Sequence, residues 1–219
     1  MFIGHFAPAL VAAARPKAAG LGTLFVAAQL VDIGFAALLV PGIEAMRIEP
    51  GITAMNPMDL HHMPYTHSLL GSILWAAAFG GLVLAATKRR AAAIGAALVV
   101  LSHWFVDLLV HIPDLTLFGA PPKLGLGLWN HPAIAIPFEL AFIGAALLYY
   151  ARRTEAPTGN RRLWTLAALL AFAQGVDWFG PKEAAYSLVI PATMLVAYTL
   201  LAATAAWAGA NRKLAGART

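Results

Sequence analysis

Apolar residues run through this chain in long, nearly unbroken stretches, without the alternation of a half-buried strand. Six stretches, Leu21 to Val40, Thr66 to Ala86, Ala91 to Ile112, Ala133 to Tyr150, Leu163 to Phe179 and Tyr186 to Ala208, are long enough to cross a hydrocarbon core of about 30 Å at about 1.5 Å per residue. Their Ala, Leu and Gly content suits closely packed membrane helices, whereas a barrel would need alternating strands of about ten residues. A seventh stretch, Phe2 to Ala14, is only about 20 Å long as a helix and too short to span. Arg15 and Lys17 follow its apolar part, the reverse of the order in a signal peptide. The pattern predicts an all-α fold: a polytopic membrane helix bundle of six transmembrane helices plus a short N-terminal half-helix. Residues 1–219 form one integral membrane domain, with a candidate metal-site region over 1–150 and additional helices over 163–208.

Composition removes the soluble alternative. The 219 residues are 60% apolar and 11% charged, with a mean hydropathy of +0.73, against roughly 45–50% and about 25% in soluble domains. The net charge of +5 reads as topology. Arg15, Lys17, Lys88, Arg89, Arg90, Arg152, Arg153, Arg161, Arg162, Arg212, Lys213 and Arg218 fall on one side of the six-span arrangement, and only Arg47, Lys123 and Lys182 on the other. That bias predicts a multi-pass protein of the cytoplasmic (inner) membrane with a cytoplasmic C-terminus, and leaves no nucleic-acid signal. The absence of cysteine excludes disulfides, thiolate metal sites and cysteine nucleophiles. The outer connections, Pro41 to Tyr65 and Pro113 to Pro132, are long, which favours a functional role for them.

The histidines carry the chemical signal. All seven lie in the first 131 residues, and six, His61, His62, His67, His103, His111 and His131, fall in the outer half or the outer loops. His5, about 15 Å up the half-helix, joins the depth of Asp32 and His103, both about 17 to 18 Å into their spans. Asp107 lies about one turn farther out, on the same helix face as His103. Ionisable groups in lipid are costly, so these residues are candidate ligands of a metal ion. Each has a plainer alternative: His67, flanked by Thr66 and Ser68, could cap a helix, and His103 with Asp107 could be a buried hydrogen-bonded pair. His111, about 12 Å along the axis from His103, could join a two-ion site with Asp107 between them, or be solvated before Pro113. Asp59 and Glu139 are further candidate ligands or catalytic groups. His61, His62 and His131 read as solvent-facing or turn residues, and Asp177 as a structural hydrogen-bonding group. The aromatic residues at both faces read as interfacial belts.

Nitrogen and carboxylate ligands without sulfur suit a divalent transition metal: zinc, manganese or iron. Such an ion removes the need for a nucleophilic side chain. No Gly-x-Ser-x-Gly elbow, phosphate-binding loop or His-Glu-x-x-His motif is present. His5, Asp32, Tyr65-Thr66-His67-Ser68-Leu69-Leu70 and Ser102-His103-Trp104-Phe105-Val106-Asp107, taken together, resemble the inner-membrane metal-dependent hydrolases. That family includes a bacterial group described as LexA-binding and is thought to be remotely related to zinc-dependent phospholipase C and the zinc single-strand nucleases. The resemblance covers about residues 1 to 150 and implies His5, Asp32, His67, His103 and Asp107 as metal ligands. The chain departs from the usual pattern at Val31-Asp32-Ile33-Gly34, which keeps one carboxylate where the family has two, and at Met63-Pro64-Tyr65, where His-Arg is replaced. The leading expectation is a hydrolase acting on a membrane lipid or lipid-linked ester or phosphoester at the outer face, with Arg47, Lys123 or Lys182 meeting an anionic headgroup. Two other readings use the same cluster: a small metal-ion or proton transporter or channel, and a scaffold whose polar residues hold helices together. Oligomeric state is not legible.

Overall fold

The computed structural model describes residues 1–216; Arg218, counted among the inner cations, lies outside them. A 3-10 turn at Ile3–His5 leads into α1 (Phe6–Ala13), followed by α2 (Leu21–Ala28), α3 (Leu30–Leu39), β1 (Ala45–Ile48), β2 (Met58–His62), α4 (Leu69–Thr87) and α5 (Arg90–Val110). Then come β3 (Leu115–Thr116), β4 (Lys123–Leu124), α6 (Pro132–Arg153), β5 (Thr154–Glu155), α7 (Arg161–Phe179), α8 (Val189–Gly209) and β6 (Lys213–Leu214). The strands form three small antiparallel ribbons, β1 with β2, β3 with β4 and β5 with β6. An expectation of pure helix therefore holds for the bundle and misses the ribbons, two of which build the long loops expected on the outer side.

Among the described residues, α4, α5, α6 and α8 are each long and apolar enough to cross a membrane, and α2 with α3 makes a fifth span if the bent pair is counted once. This is compatible with a multi-pass membrane protein. The fifth predicted stretch, Leu163 to Phe179, is present as α7 but does not reach the same apolar character. It has the same 19 residues as α4, yet it opens on Arg161 and Arg162 and carries Gln174 and Asp177.

The first predicted span is not straight. α2 and α3 meet at 52°, broken at Gln29, whose backbone leaves helical geometry at φ −110° and ψ 10°. Gln29 is buried, and its side-chain amide donates to the carbonyl of Phe2 at 3.3 Å. A polar group inserted in this way interrupts the helical ladder. The consequence is a backbone carbonyl, that of Ala28, left free to serve a side chain elsewhere.

The half-helix is the centre of the bundle rather than an appendage. Phe6 and Leu10 of α1 pack with Leu24 and Phe25 of α2, Val100 of α5, Ile143 of α6, Leu166 of α7 and Leu201 of α8. The Phe6 and Phe25 rings stack at 4.4 Å. Small residues set the closest helix approach: a Cβ on Gly22 would lie 2.5 Å from that of Ala206, so α2 and α8 could not meet there with a larger side chain. A second apolar cluster, including Phe35, Leu60, Trp104, Val110, Leu115 and Trp129, covers the end of the bundle where the first two ribbons sit.

The two ends of the molecule separate cleanly. Pro16, Arg152, Arg153 and Leu214 to Gly216 line one cleft, and Arg162 lies over the Trp207 ring at 5.0 Å. At the opposite end Lys123 Nζ donates to the His61 carbonyl, Ala54 N–H to Asn130 Oδ1, and Tyr186 Oη to the Leu39 carbonyl. The connections assigned to one side of the membrane thus share one end of the bundle.

Candidate metal centre

Four helical segments bring their polar residues to one point. His5 ends the 3-10 turn, Asp32 lies in the first turn of α3, His67 precedes α4, and His103 and Asp107 lie one turn apart on α5. Asp107 is the hub. Its Oδ1 lies 3.0 Å from His5 Nε2 and 3.4 Å from His111 Nε2, and its Oδ2 lies 3.0 Å from His103 Nε2 and 3.7 Å from His67 Nε2. Asp32 Oδ1 is 3.3 Å from His67 Nε2 and 3.5 Å from His103 Nε2. The backbone nitrogen of Met1 lies 3.5 Å from Asp107 Oδ1. Two sets of donor atoms are close enough to hold an ion: His5 with His103 and Asp107, and Asp32 with His67 and His103.

Three imidazoles are oriented from behind. His103 Nδ1 is 2.8 Å from the Ala28 carbonyl released by the break between α2 and α3. A carbonyl can only accept, so this nitrogen carries the proton and Nε2 presents its lone pair to the cluster. His111 Nδ1 faces Asp114 Oδ1 at 2.9 Å, and His67 Nδ1 faces Thr66 Oγ1 at 2.8 Å. Such back-side partners fix the tautomer and direction of metal-binding histidines.

The inner atoms of the cluster are short of hydrogen-bond partners. His103 Nε2 and Asp107 Oδ2 are buried and make no hydrogen bond among the described residues, although they lie 3.0 Å apart. His5 Nδ1 is also buried and unpartnered. Buried polar atoms are almost always paired, and an unpaired one costs about 1–3 kcal/mol or more. A nitrogen and an oxygen at that distance are satisfied together by a cation, a shared proton or a metal ion. These buried His and Asp groups could bind a metal ion.

The other residues singled out in the sequence have different surroundings. His111, either a second-ion ligand or solvated on sequence grounds, is buried and reaches Asp107. Glu139 faces the turn beside the cluster: its Oε1 accepts the N–H groups of Phe2 at 2.8 Å and Gly4 at 2.9 Å. Asp59, on β2, pairs with Arg47 Nε at 2.5 Å on the ribbon. Lys182 Nζ donates to the Asp177 carbonyl, Gln174 Nε2 donates to Asp177 Oδ2 at 2.9 Å, and His61, His62 and His131 are exposed. Ser68, not His67, caps α4, accepting the Gly71 N–H at 3.0 Å. Gly34 stands where the resemblance puts a second carboxylate, and a Cβ there would meet Trp75 at 3.1 Å and Thr66 at 3.3 Å.

Sequence reasoning missed the supporting residues. Asp114 follows His111 by three positions and offered a spacing signal. Glu44 and Tyr198 offered none: Glu44 is buried against the Thr66 hydroxyl, and Tyr198 Oη donates to Asp32 Oδ2 at 2.8 Å across 166 positions of chain. Comparison with models of protein families, with curated proteins and with solved structures finds no match to this chain.

Proposed function

We propose that the chain is a membrane-embedded, zinc-dependent hydrolase acting on a lipid or lipid-linked ester or phosphoester at the outer face of the cytoplasmic membrane, as the resemblance to the inner-membrane metal-dependent hydrolases implies. The observation that carries this reading is the convergence of unpartnered, buried His103 Nε2 and Asp107 Oδ2 with the side chains of His5, Asp32, His67 and His111. His5, Asp32, His67, His103 and Asp107 would hold the ion, with His103 common to the two donor sets. When bound, the metal supplies Lewis acidity that polarises the ester oxygen and acidifies water. The protein's part is to hold the donors without reorganisation: two carboxylates offset the cation's charge, and the back-side acceptors keep the imidazole lone pairs turned inward.

Access to the cluster bears on the substrate class. Asp32 is 19% exposed, while Asp107 and the histidine side chains of the cluster are nearly sealed. Tyr198, bonded to Asp32, also lines a groove of about 700 Å³ whose walls include Leu21, Val26, Ile33 and Ala202. An apolar groove beside the only open carboxylate of the cluster suits a substrate with a hydrocarbon chain.

The deciding experiment is elemental analysis of protein purified without chelator and reconstituted with zinc, paired with hydrolysis of micellar ester and phosphoester lipids. The expected result is at least one ion per chain and metal-dependent hydrolysis. Asp107→Asn, nearly isosteric, should insert and fold yet lose most of the metal and the hydrolysis. Full metal occupancy in that variant would remove Asp107 from the ligand set. Metal flux into vesicles without hydrolysis would turn the reading to a transporter.

A further inference from the structure

The hydrogen-bond chain behind His67 runs one residue farther than a ligand needs for packing. Glu44, which follows α3 after a turn through Gly42 at φ 73°, is fully buried together with Thr66. Its Oε1 accepts two backbone N–H groups, those of Tyr65 at 2.8 Å and Thr66 at 2.9 Å. Its Oε2 accepts the Thr66 hydroxyl at 2.6 Å. A hydroxyl has one hydrogen and two lone pairs. Having donated that hydrogen to Glu44, Thr66 Oγ1 can only accept from His67 Nδ1, 2.8 Å away.

We propose that Glu44 is a positioning residue for the metal centre: through the Thr66 hydroxyl it fixes the proton of His67 on Nδ1 and so holds the Nε2 lone pair on the ion. The assignment rests on the reading of His67 as a ligand. It gives a chemical reason for Thr66 at this place, because a carboxylate 22 residues upstream reaches His67 only through a group that donates on one side and accepts on the other. It also makes the exposed turn after α3, which ends on the buried Glu44, part of the site, since Tyr65 and Thr66 N–H clamp the glutamate whose second oxygen sets the hydroxyl.

Glu44→Gln tests the direction of the chain with little change of shape. The two backbone N–H donors require the amide oxygen on their side, which turns the amide NH₂ toward Thr66 Oγ1. The hydroxyl then accepts from Gln, and its freed hydrogen has His67 Nδ1 as the neighbouring acceptor, so the neutral ring carries its proton on Nε2, facing the site. In metal-free protein with ¹⁵N-labelled histidine in detergent micelles, the His67 ring nitrogens of the parent should show the Nδ1–H tautomer, and those of Glu44→Gln the Nε2–H tautomer. Zinc affinity should fall 10- to 100-fold in Glu44→Gln, with helix content and membrane insertion unchanged. Thr66→Val should lose affinity to the same extent and Thr66→Ser should restore it. Adding Glu44→Gln to His67→Gln should cost nothing further, because the relay acts only through His67. An unchanged His67 tautomer and zinc affinity in Glu44→Gln, while His67→Gln loses metal, would overturn the relay and leave the metal centre standing. Undiminished zinc in His67→Gln would instead overturn the ligand assignment on which the relay depends.

Discussion

At the scale of single residues, the centre divides into groups that face inward and groups that hold them. Asp107 touches His5, His67, His103 and His111, so its loss removes more contacts at the site than any other change. Tyr198 belongs to the holding group. Tyr198→Phe removes only the hydroxyl that donates to Asp32 Oδ2, leaving the ring and its packing beside Phe2. Metal affinity, followed by competition with a zinc chelator, should drop about tenfold in this variant, the lower range for a lost outer partner, and the protein should remain folded. The inward group was legible because periodicity, depth and residue type coincide: His103 and Asp107 share a face, and His5 and Asp32 reach the same height. The holding group was not. Glu44, Tyr198 and the Ala28 carbonyl act through tertiary contacts that no spacing along the chain records, and Gly34 looks like a missing ligand until Thr66 and Trp75 are seen beside it.

At the scale of elements, the site depends on two departures from regular helix. The break at Gln29 gives up helical continuity between α2 and α3 and supplies His103 with its acceptor, the Ala28 carbonyl. A hydropathy window merges the two helices into one span, because Gln29 is a single polar residue in an apolar run. The 3-10 turn carrying His5 is likewise tied down from other helices. Glu139 of α6 accepts from Phe2 and Gly4, Gln174 of α7 accepts from Ile3, and Gln29 donates to Phe2. The bonds from Phe2, Ile3 and Gly4 replace the intrahelical partners that the first N–H groups of a helix lack. Glu139→Ala would strand the buried Gly4 N–H, at a cost of about 1–3 kcal/mol, and the half-buried N–H of Phe2. The expected outcome is a lower unfolding midpoint in detergent and release of His5 from the cluster, read as a several-fold loss of zinc affinity. Glu139→Gln keeps an acceptor oxygen and should restore most of both. A loss of metal in Glu139→Gln equal to that of Glu139→Ala would mark Glu139 as a ligand, as its position in the sequence first allowed.

At the scale of the whole molecule, the open point is the path of α7. It falls short of the apolar character of the other spans, yet its beginning meets the end of α8 through Arg162 and Trp207. The connection that leaves it returns to the end of α3 through Tyr186 and Leu39. A helix with those two attachments runs the height of the bundle, and its polar residues have partners: Gln174 is buried against Ile3, and Asp177 accepts from Gln174. The buried polarity of Gln174 lowers hydropathy at little cost, since a group that meets protein partners escapes most of the cost of burial in hydrocarbon, while the exposed Asp177 keeps a partner in Gln174. We therefore expect six crossings with the cation-rich end in the cytoplasm. The chain contains no cysteine, so single cysteines can be placed without background. Ala54→Cys and Ala120→Cys, on the outer ribbons, should react with a membrane-impermeant thiol reagent on intact cells. Ala91→Cys and Glu155→Cys should react only after permeabilisation. Glu183→Cys, in the connection between α7 and α8, carries the decision: labelling on intact cells means that α7 crosses. Labelling only after permeabilisation would return α7 to the cytoplasmic side, contradict the contact of Tyr186 with Leu39, and leave five crossings at most.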